Sequence, residues 1–186
     1  MKWRGENLMF DKFGEFNSSA EINELAENLF NEGDMESIKV MAKENGIQDE
    51  VVEMYLQGEV PALCDTVTAA VGKIEAEAEE LKPQEILEDW VQYIIGQCIK
   101  DELMAAYVRK KGKSLKGCIA ALLTWSFKNC YEIDKDIIAE TGILSGKIPM
   151  PKAGKGSSRQ AITMGIPGMG RAKKIIREYY MGGEKK

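Results

Sequence analysis

The stretch PQEILEDWVQYIIGQCIKD, residues 83–101, constrains the fold more than any other part of this chain. Its apolar residues recur as pairs every four positions, which is the spacing of a helix with one broad buried face. They are Ile86, Leu87, Trp90, Val91, Ile94, Ile95, Cys98 and Ile99. A second stretch, SLKGCIAALLTWSFKN at 114–129, has a similar stripe from Leu115 to Ser126. Both faces need apolar partners, so the pattern predicts an all-α fold.

Helix signals elsewhere predict the elements that cover these two faces. Ser18 and Glu21 form a capping-box pattern, and Asp34 is placed to cap the following helix. A short third helix follows, and Pro61 lies near the expected start of a longer helix that ends before Pro83. Together with the two apolar stretches, these signals indicate a compact multi-helix bundle.

The composition of the chain changes after Gly142. Residues 143–170 are rich in Gly, Pro, Ser and Lys, as in a linker, although IPM and AITM have the character of two short strands in a ribbon. The sequence RAKKIIREYYM then returns to helical spacing. We therefore divide the chain into a helical domain, 1–142, and a basic linker with a C-terminal amphipathic helix, 143–186.

Charge is distributed unevenly along the 186 residues, although the net charge is only −5. Residues 1–93 contain 7 Lys and Arg against 22 Asp and Glu, a net charge of −15, whereas residues 94–186 contain 18 against 8, a net charge of +10. The helical domain, 1–142, is therefore acidic in its first part and basic in its last part. Asymmetry of this size indicates electrostatic recognition of a partner.

Several functional classes are disfavoured by what the chain contains. It has no histidine, so Ser–His and Cys–His nucleophile arrangements are excluded, and its four scattered cysteines lack the spacing of a metal site. No apolar run approaches the roughly 18 residues of a membrane span. We expect a cytoplasmic protein that is not an enzyme, has no cofactor or metal, and does not bind membranes.

The segment GIPGMGRAKKIIREYY, residues 165–180, has the glycine spacing of an NTPase phosphate loop. Arg171 and Ala172 replace the lysine and the hydroxyl residue of that motif, so the nucleotide-hydrolysis interpretation is rejected. The segment is better explained as a helix with an apolar face and a roughly opposite basic face. The apolar face comprises Ala172, Ile175, Ile176, Tyr179 and Tyr180. Two interpretations of that basic face are open. It binds an anionic surface of a partner, or it is the ordinary solvated face of an amphipathic helix. Lys173, Lys174 and Arg177 share that face, and together with Arg171 at the start of the helix they are the candidate binding residues.

A second basic block lies at RKKGKSLKG, across the expected end of one helix and the start of the next, which Ser114 is placed to cap. Cations at a helix C-terminus complement its dipole, which accounts for the first three of these residues but not for the last two. The block contains Arg109, Lys110, Lys111, Lys113 and Lys116. Two such blocks predict a basic surface for a protein partner or nucleic acid, but the sequence does not show whether they adjoin.

The acidic half offers an alternative binding surface. Carboxylates surround the end of the longer helix that precedes Pro83. They either imitate nucleic-acid phosphates and bind a basic partner, or form an ordinary solvated face. These residues are Glu75, Glu77, Glu79 and Glu80. Trp125 lies off the apolar stripe of its helix, which indicates a second contact face or a subunit interface in a homo-oligomer.

Three blocks of the chain resemble a known family. MFDKFGEFNSSAEIN, VRKKGKSLKGCIAALLTWSFKN and GIPGMGRAKKIIREYYMGG, between Met9 and Gly183, are similar to the PcfK-like proteins of conjugative and phage-like mobile elements. That family includes anti-CRISPR proteins that inhibit the type II effector nuclease, Cas-nine. The resemblance implies a small cytosolic inhibitor, without enzymatic activity, that binds the guide-loaded nuclease and blocks engagement or cleavage of target DNA.

The resemblance supplies no inhibitory motif at the level of residues, so the binding residues are assigned by charge alone. A basic arm would contact RNA or DNA of the complex, and an acidic surface would contact the basic channels of the nuclease. The alternative function is a nucleic-acid-binding accessory protein of a mobile element, which contacts DNA or RNA directly.

Overall fold

A computed structural model describes residues 10–143 and 162–182 of the chain. The helices are α1 (Ser19–Glu32), α2 (Met35–Glu44), α3 (Asp49–Leu56), α4 (Thr66–Leu81), α5 (Ile86–Lys100), α6 (Glu102–Arg109), α7 (Leu115–Lys128), α8 (Lys135–Glu140) and α9 (Met169–Met181). The strands are β1 (Tyr131–Glu132) and β2 (Thr163–Met164). The predicted all-α class is confirmed. Within the described ranges, no helix is long and apolar enough to span a bilayer.

The apolar core consists of two clusters that share helix α4. One cluster joins α1, α2 and α3 to the start of α4, around Ile22, Ile38, Met41 and Leu63. The other joins α4, α5, α6, α7 and α9, around buried side chains that include Trp90, Ile94, Cys98, Leu115, Leu122 and Ile176. The two helices with the strongest predicted apolar faces, α5 and α7, therefore both lie in the second cluster.

The two clusters meet where the backbones of Gly46 and Gly72 touch. A Cβ atom added to Gly72 would lie 2.6 Å from the carbonyl oxygen of Gly46 and 2.7 Å from that of Asn45. Gly46 also has φ of +68°, a left-handed value that L-residues rarely adopt. Glycine at both positions lets the end of α2 approach the middle of α4 at backbone distance.

Helix starts follow the predicted caps in most places. The Oγ of Ser18 accepts from Glu21 N, the carboxylate of Asp34 accepts from Ser37 N, and Ser114 caps α7. The start of α4 differs from its prediction, because the helix begins at Thr66 under an Asp65 cap and not near Pro61. The reason is Asn23 of α1, whose side chain bonds the main chain of Leu63 and Cys64 and holds this segment outside the helix.

The two short strands pair antiparallel, with Tyr131 opposite Met164 and Glu132 opposite Thr163. One strand lies within the predicted AITM segment, as expected. Its partner follows α7 directly, and the predicted IPM strand lies outside the described residues. The ribbon therefore returns the chain to the end of α7 before α9 begins.

Candidate functional site

Helix α9 is amphipathic, and its apolar face belongs to the core. Ala172, Ile176 and Tyr180 are buried in the cluster formed with α4 to α7, while Ile175 and Tyr179 are half-buried beside it. These are the five residues that helical spacing assigned to one face, so that prediction is confirmed. The helix lies against α7 and α6. Its orientation is fixed by this packing.

The four basic residues predicted on α9 are all exposed, and three have aromatic or acidic neighbours. The guanidinium of Arg171 lies 5.8 Å from the Trp125 ring, and the Nζ of Lys173 lies 5.2 Å from the Tyr93 ring. Both distances fall within the range of cation–π attraction. The Nη1 of Arg177 lies 3.9 Å from the Asp101 carboxylate, an exposed pair of small energetic value. Lys174 is the remaining exposed cation of this face.

One glycine of the segment before α9 is required by packing. A Cβ atom on Gly165 would lie 2.3 Å from the carbonyl oxygen of Ser126 and 2.8 Å from the Sγ of Cys130. A Cβ atom on Gly168 or Gly170 would meet nothing within 4 Å, and Gly168 caps α9 with an ordinary φ of −60°. Gly165 thus lets the segment cross the end of α7, so packing accounts for this glycine of the phosphate-loop spacing, whereas Gly170 has no such requirement.

The two basic blocks adjoin at the C-terminal end of α9. The Nζ of Lys113 donates a 2.7 Å hydrogen bond to the carbonyl oxygen of Tyr179 and lies 5.1 Å from its ring centre. In the same place, Ser114 N donates to the Tyr179 hydroxyl at 3.0 Å. Gly117 makes room for this hydroxyl, since an added Cβ would lie 2.2 Å from it. The structure therefore brings together two blocks that the sequence could not relate.

We name this region the basic surface. It consists of the exposed or half-buried cations of α9 and of the 110–116 loop, by which we mean the connection after α6 together with the first two residues of α7. These cations are Lys110, Lys111, Lys113, Lys116, Arg171, Lys173, Lys174 and Arg177.

Lys73 of α4 supports the 110–116 loop from the protein interior. This residue was not predicted from the sequence. Its side chain is fully buried, and its Nζ donates to the carbonyl oxygens of Lys110 and Lys113 and to the carboxylate of Glu15. Glu15 also accepts from Gly112 N at 3.1 Å. Burial lowers the pKa of Lys73, and the hydrogen bond to Glu15 opposes that shift. Its spacing from Ala69, Ala70 and Ile74 on one face of α4 could have indicated its burial.

Arg109 does not belong to the basic surface, which corrects the prediction for this residue. It is only 1% exposed, its Nη2 donates to the Asn45 side chain at 2.6 Å, and its guanidinium lies 5.7 Å from the Phe10 ring. The reason is its position four residues after buried Ala105, on the inward face of α6. Its Nε and Nη1 have no hydrogen-bond partner within the described residues. Arg109 links α6 to the end of α2.

Glu77 is likewise corrected from a surface residue to a buried one. Its Oε2 accepts from Leu115 N at the start of α7, and only 5% of the residue is exposed. Burial raises the pKa of this carboxyl group, opposed by the Leu115 hydrogen bond and by the charge of Lys73. Glu75 and Glu79 lie two residues away on α4, so they point in nearly the opposite direction and are exposed, as is Glu80. The candidate acidic surface therefore consists of the three exposed residues Glu75, Glu79 and Glu80.

No group of three or more Cys, Asp or Glu side chains within the described residues is placed to hold a metal ion. The chemistry that the basic surface offers is the binding of anions through ammonium and guanidinium groups, with aromatic rings beside four of them.

Comparisons with known proteins give no further identification. No family model matches the chain, and no curated protein or solved structure shows significant similarity to it.

Proposed function

We propose that this chain is an anti-CRISPR protein that binds the guide-loaded type II effector nuclease, Cas-nine, and blocks target-DNA engagement or cleavage. The nuclease is assigned from the resemblance of three sequence blocks to the PcfK-like family. The observation that favours a binding role is the junction of the two basic blocks through Lys113 and Tyr179. In this proposal the protein acts in the cytoplasm, as a stoichiometric inhibitor and not as an enzyme.

The basic surface suits a partner that carries exposed phosphates. A guide-loaded nuclease displays RNA, and it receives DNA along a positively charged channel. Cations held on a rigid support lose little conformational freedom on binding, and Lys73 and Glu15 provide such a support for the loop. The exposed carboxylates Glu75, Glu79 and Glu80 are the alternative contact, toward the basic channel itself.

A cleavage assay with guide-loaded nuclease tests this proposal. We expect the wild-type chain to abolish cutting at a small molar excess, and Lys110, Lys111 and Lys116 changed together to Glu to restore it. The control reverses Lys39 and Lys43, exposed lysines of α2, and should still inhibit. Undiminished cutting with several type II orthologues would contradict the proposal. Inhibition that is lost only when Glu75, Glu79 and Glu80 become Gln would move the contact to the acidic surface.

The second candidate is a nucleic-acid-binding accessory protein of a mobile element. The placement of Arg171 over Trp125 and of Lys173 over Tyr93 favours it, because cations beside aromatic rings are common in nucleic-acid sites. This function predicts direct binding of DNA or RNA that weakens steeply with salt, through counterion release. Absence of any binding at low salt, together with inhibition of the nuclease, would exclude it.

A further inference from the structure

The ribbon end of the protein exposes an unusual amount of apolar surface. Of the eleven large apolar side chains that are exposed among the described residues, six come from the last turn of α7, the ribbon, α8 and the start of α9. These residues, which we call the ribbon-end patch, are Phe127, Tyr131, Ile137, Met164, Ile166 and Met169, with Phe127 the most exposed at 78%. The pairing of Tyr131 with Met164 joins the two strands, and α8 follows β1 directly in the chain. Gly165 lies against the end of α7, and Arg171 at the start of α9 lies beside Trp125 of α7, so these segments adjoin.

The size of the patch matches a subunit contact. A fully exposed side chain of this class presents roughly 200 Å². The exposed parts of the six side chains then amount to roughly 600 Å², close to the roughly 800 Å² per partner of a standard interface. A patch of this size lies at the upper end of the roughly 300–600 Å² that monomeric proteins leave exposed, and patches of that size are often functional. Polar neighbours of the patch can supply the remaining area.

Charges around the patch indicate which partner fits. Lys128, Lys135 and Arg171 are exposed there, and Arg171 also belongs to the basic surface. Four carboxylates of the ribbon and of α8 with its cap are exposed there as well: Glu132, Asp134, Asp136 and Glu140. A nucleic acid or another partner with charge of one sign would meet repulsion from part of this rim. Under a two-fold axis, however, each cation of one copy can face a carboxylate of the other, so a rim of mixed sign is complementary to itself.

We propose that the ribbon-end patch is the two-fold interface of a homodimer of this chain. Apolar side chains from the ribbon segments and from the three flanking helices α7, α8 and α9 form its centre, and the mixed charges form its rim. This interface lies apart from the 110–116 loop, since that loop contacts the opposite end of α9. Dimerisation therefore presents two copies of the loop and goes beyond the proposed inhibition of the nuclease.

Sedimentation equilibrium of the full chain tests the proposal. We expect a mass of twice 20.7 kDa at micromolar concentration. Changing Phe127 and Ile166 together to Glu should raise the dimer dissociation constant at least about 100-fold, because charges would replace the central apolar contacts. The matched control changes Ile99 and Leu103 to Glu, exposed apolar residues of α5 and α6 at 63% and 58%, and should leave the constant unchanged.

Three outcomes of this experiment would overturn the proposal. They are a monomer at every concentration up to about 100 µM, a dimer unaffected by the Phe127 and Ile166 changes, and a dimer that the control weakens equally. A second measurement uses only the wild-type chain. Cys130, exposed between Phe127 and Tyr131, should react more slowly with a thiol reagent as dimer forms, and a constant rate through the dimerisation range would also contradict the proposal.

Discussion

The ammonium group of Lys113 bonds the carbonyl oxygen of Tyr179 at the last turn of α9. A cation at this end of a helix is attracted by the helix dipole as well as by the free carbonyl. The contact joins residues 66 positions apart and connects the 110–116 loop to the C-terminal helix. We therefore expect the two basic blocks to respond together when this junction is disturbed.

Replacement of Tyr179 by Phe tests the junction. The change removes the hydroxyl that accepts from Ser114 N, so the free energy of unfolding should fall by about 1–2 kcal/mol. Hydrogen exchange at the Ser114 amide should become faster. Tyr107→Phe is the control, because the Tyr107 hydroxyl has no hydrogen bond within the described residues, and it should change stability by less than about 0.5 kcal/mol. Equal effects of the two changes would argue against the junction.

Replacement of Lys73 by Met tests the support beneath the loop. Met fills a similar volume but cannot donate to the carbonyls of Lys110 and Lys113, which would lose a buried partner. We expect the free energy of unfolding to fall by roughly 2–4 kcal/mol and exchange at the Gly112 amide to increase. Lys39→Met, at an exposed pair with Glu53, should cost less than about 1 kcal/mol. Urea unfolding followed by circular dichroism measures both.

Two glycines in helices should respond oppositely to alanine. In an open helix interior, Gly→Ala stabilises by roughly 0.5–1 kcal/mol, and Gly96 of α5 has nothing within 4 Å of an added Cβ. At Gly72 the same Cβ would strike the main chain of Gly46, so we expect a loss of at least about 2 kcal/mol. Thermal unfolding of the two variants gives the comparison. Stabilisation at Gly72 would mean that the contact between α2 and α4 is looser than described.

The pH dependence of stability should reveal the buried carboxyl group of Glu77. Burial raises its pKa in the folded protein above the ordinary 4.5, so the folded state holds this proton more tightly than the unfolded state. Its contribution to stability is therefore present below pH 4.5 and is lost as pH rises through the folded pKa. Glu77→Gln keeps an acceptor for Leu115 N but does not ionise. Its stability relative to wild type should rise with pH across this window, as measured by urea titrations.

Other carboxyl groups have a lowered pKa, but their effects on stability cancel when Glu77→Gln is compared with wild type. Hydrogen bonds to Ser37 lower the pKa of Asp34, and those to Thr68 lower the pKa of Asp65, but both caps are present in either protein. A difference between Glu77→Gln and wild type that stays flat from pH 4 to 8 would contradict the expected ionisation of a buried group.

The four cysteines should differ sharply in reactivity. Cys64, Cys98 and Cys118 are buried, and burial raises the pKa of each thiol to about 12, whereas Cys130 is exposed. Because the thiolate is the reactive species, iodoacetamide near pH 8 should modify Cys130 first and the others only after unfolding. Mass spectrometry of the folded protein checks this, with the urea-unfolded chain as the reference. Early modification of Cys98 would indicate local opening of the core.

Residues with a strong local signal could be placed from the sequence. The apolar pairs of α5 and the caps at Ser18, Asp34 and Ser114 act through neighbours within four positions, so spacing alone predicts them. The amphipathic face of α9 belongs to the same class. Each of these features depends on helix geometry and on little else.

Residues whose role depends on distant partners could not be placed in this way. Lys73 and Glu77 are charged, and their burial depends on partners far away in the chain: the main chain of the 110–116 loop, about 40 positions away, and for Lys73 also the carboxylate of Glu15. Arg109 depends on Asn45 in the same manner. The start of α4 was misplaced because Asn23, in another helix, holds the preceding segment. Local patterns carry no information about such long-range hydrogen bonds.

The contacts that shape the 110–116 loop from α4 and from the N-terminal segment all end on its main chain. Lys73 reaches two carbonyl oxygens, and Glu15, Asn17 and Glu77 each accept from a backbone N–H. Main-chain atoms are the same for every residue type, so the path of the loop does not depend on the outward side chains at 110, 111 and 116. Evolution can therefore exchange those side chains, and so retarget the protein to a different partner, while the scaffold that displays them is inherited unchanged.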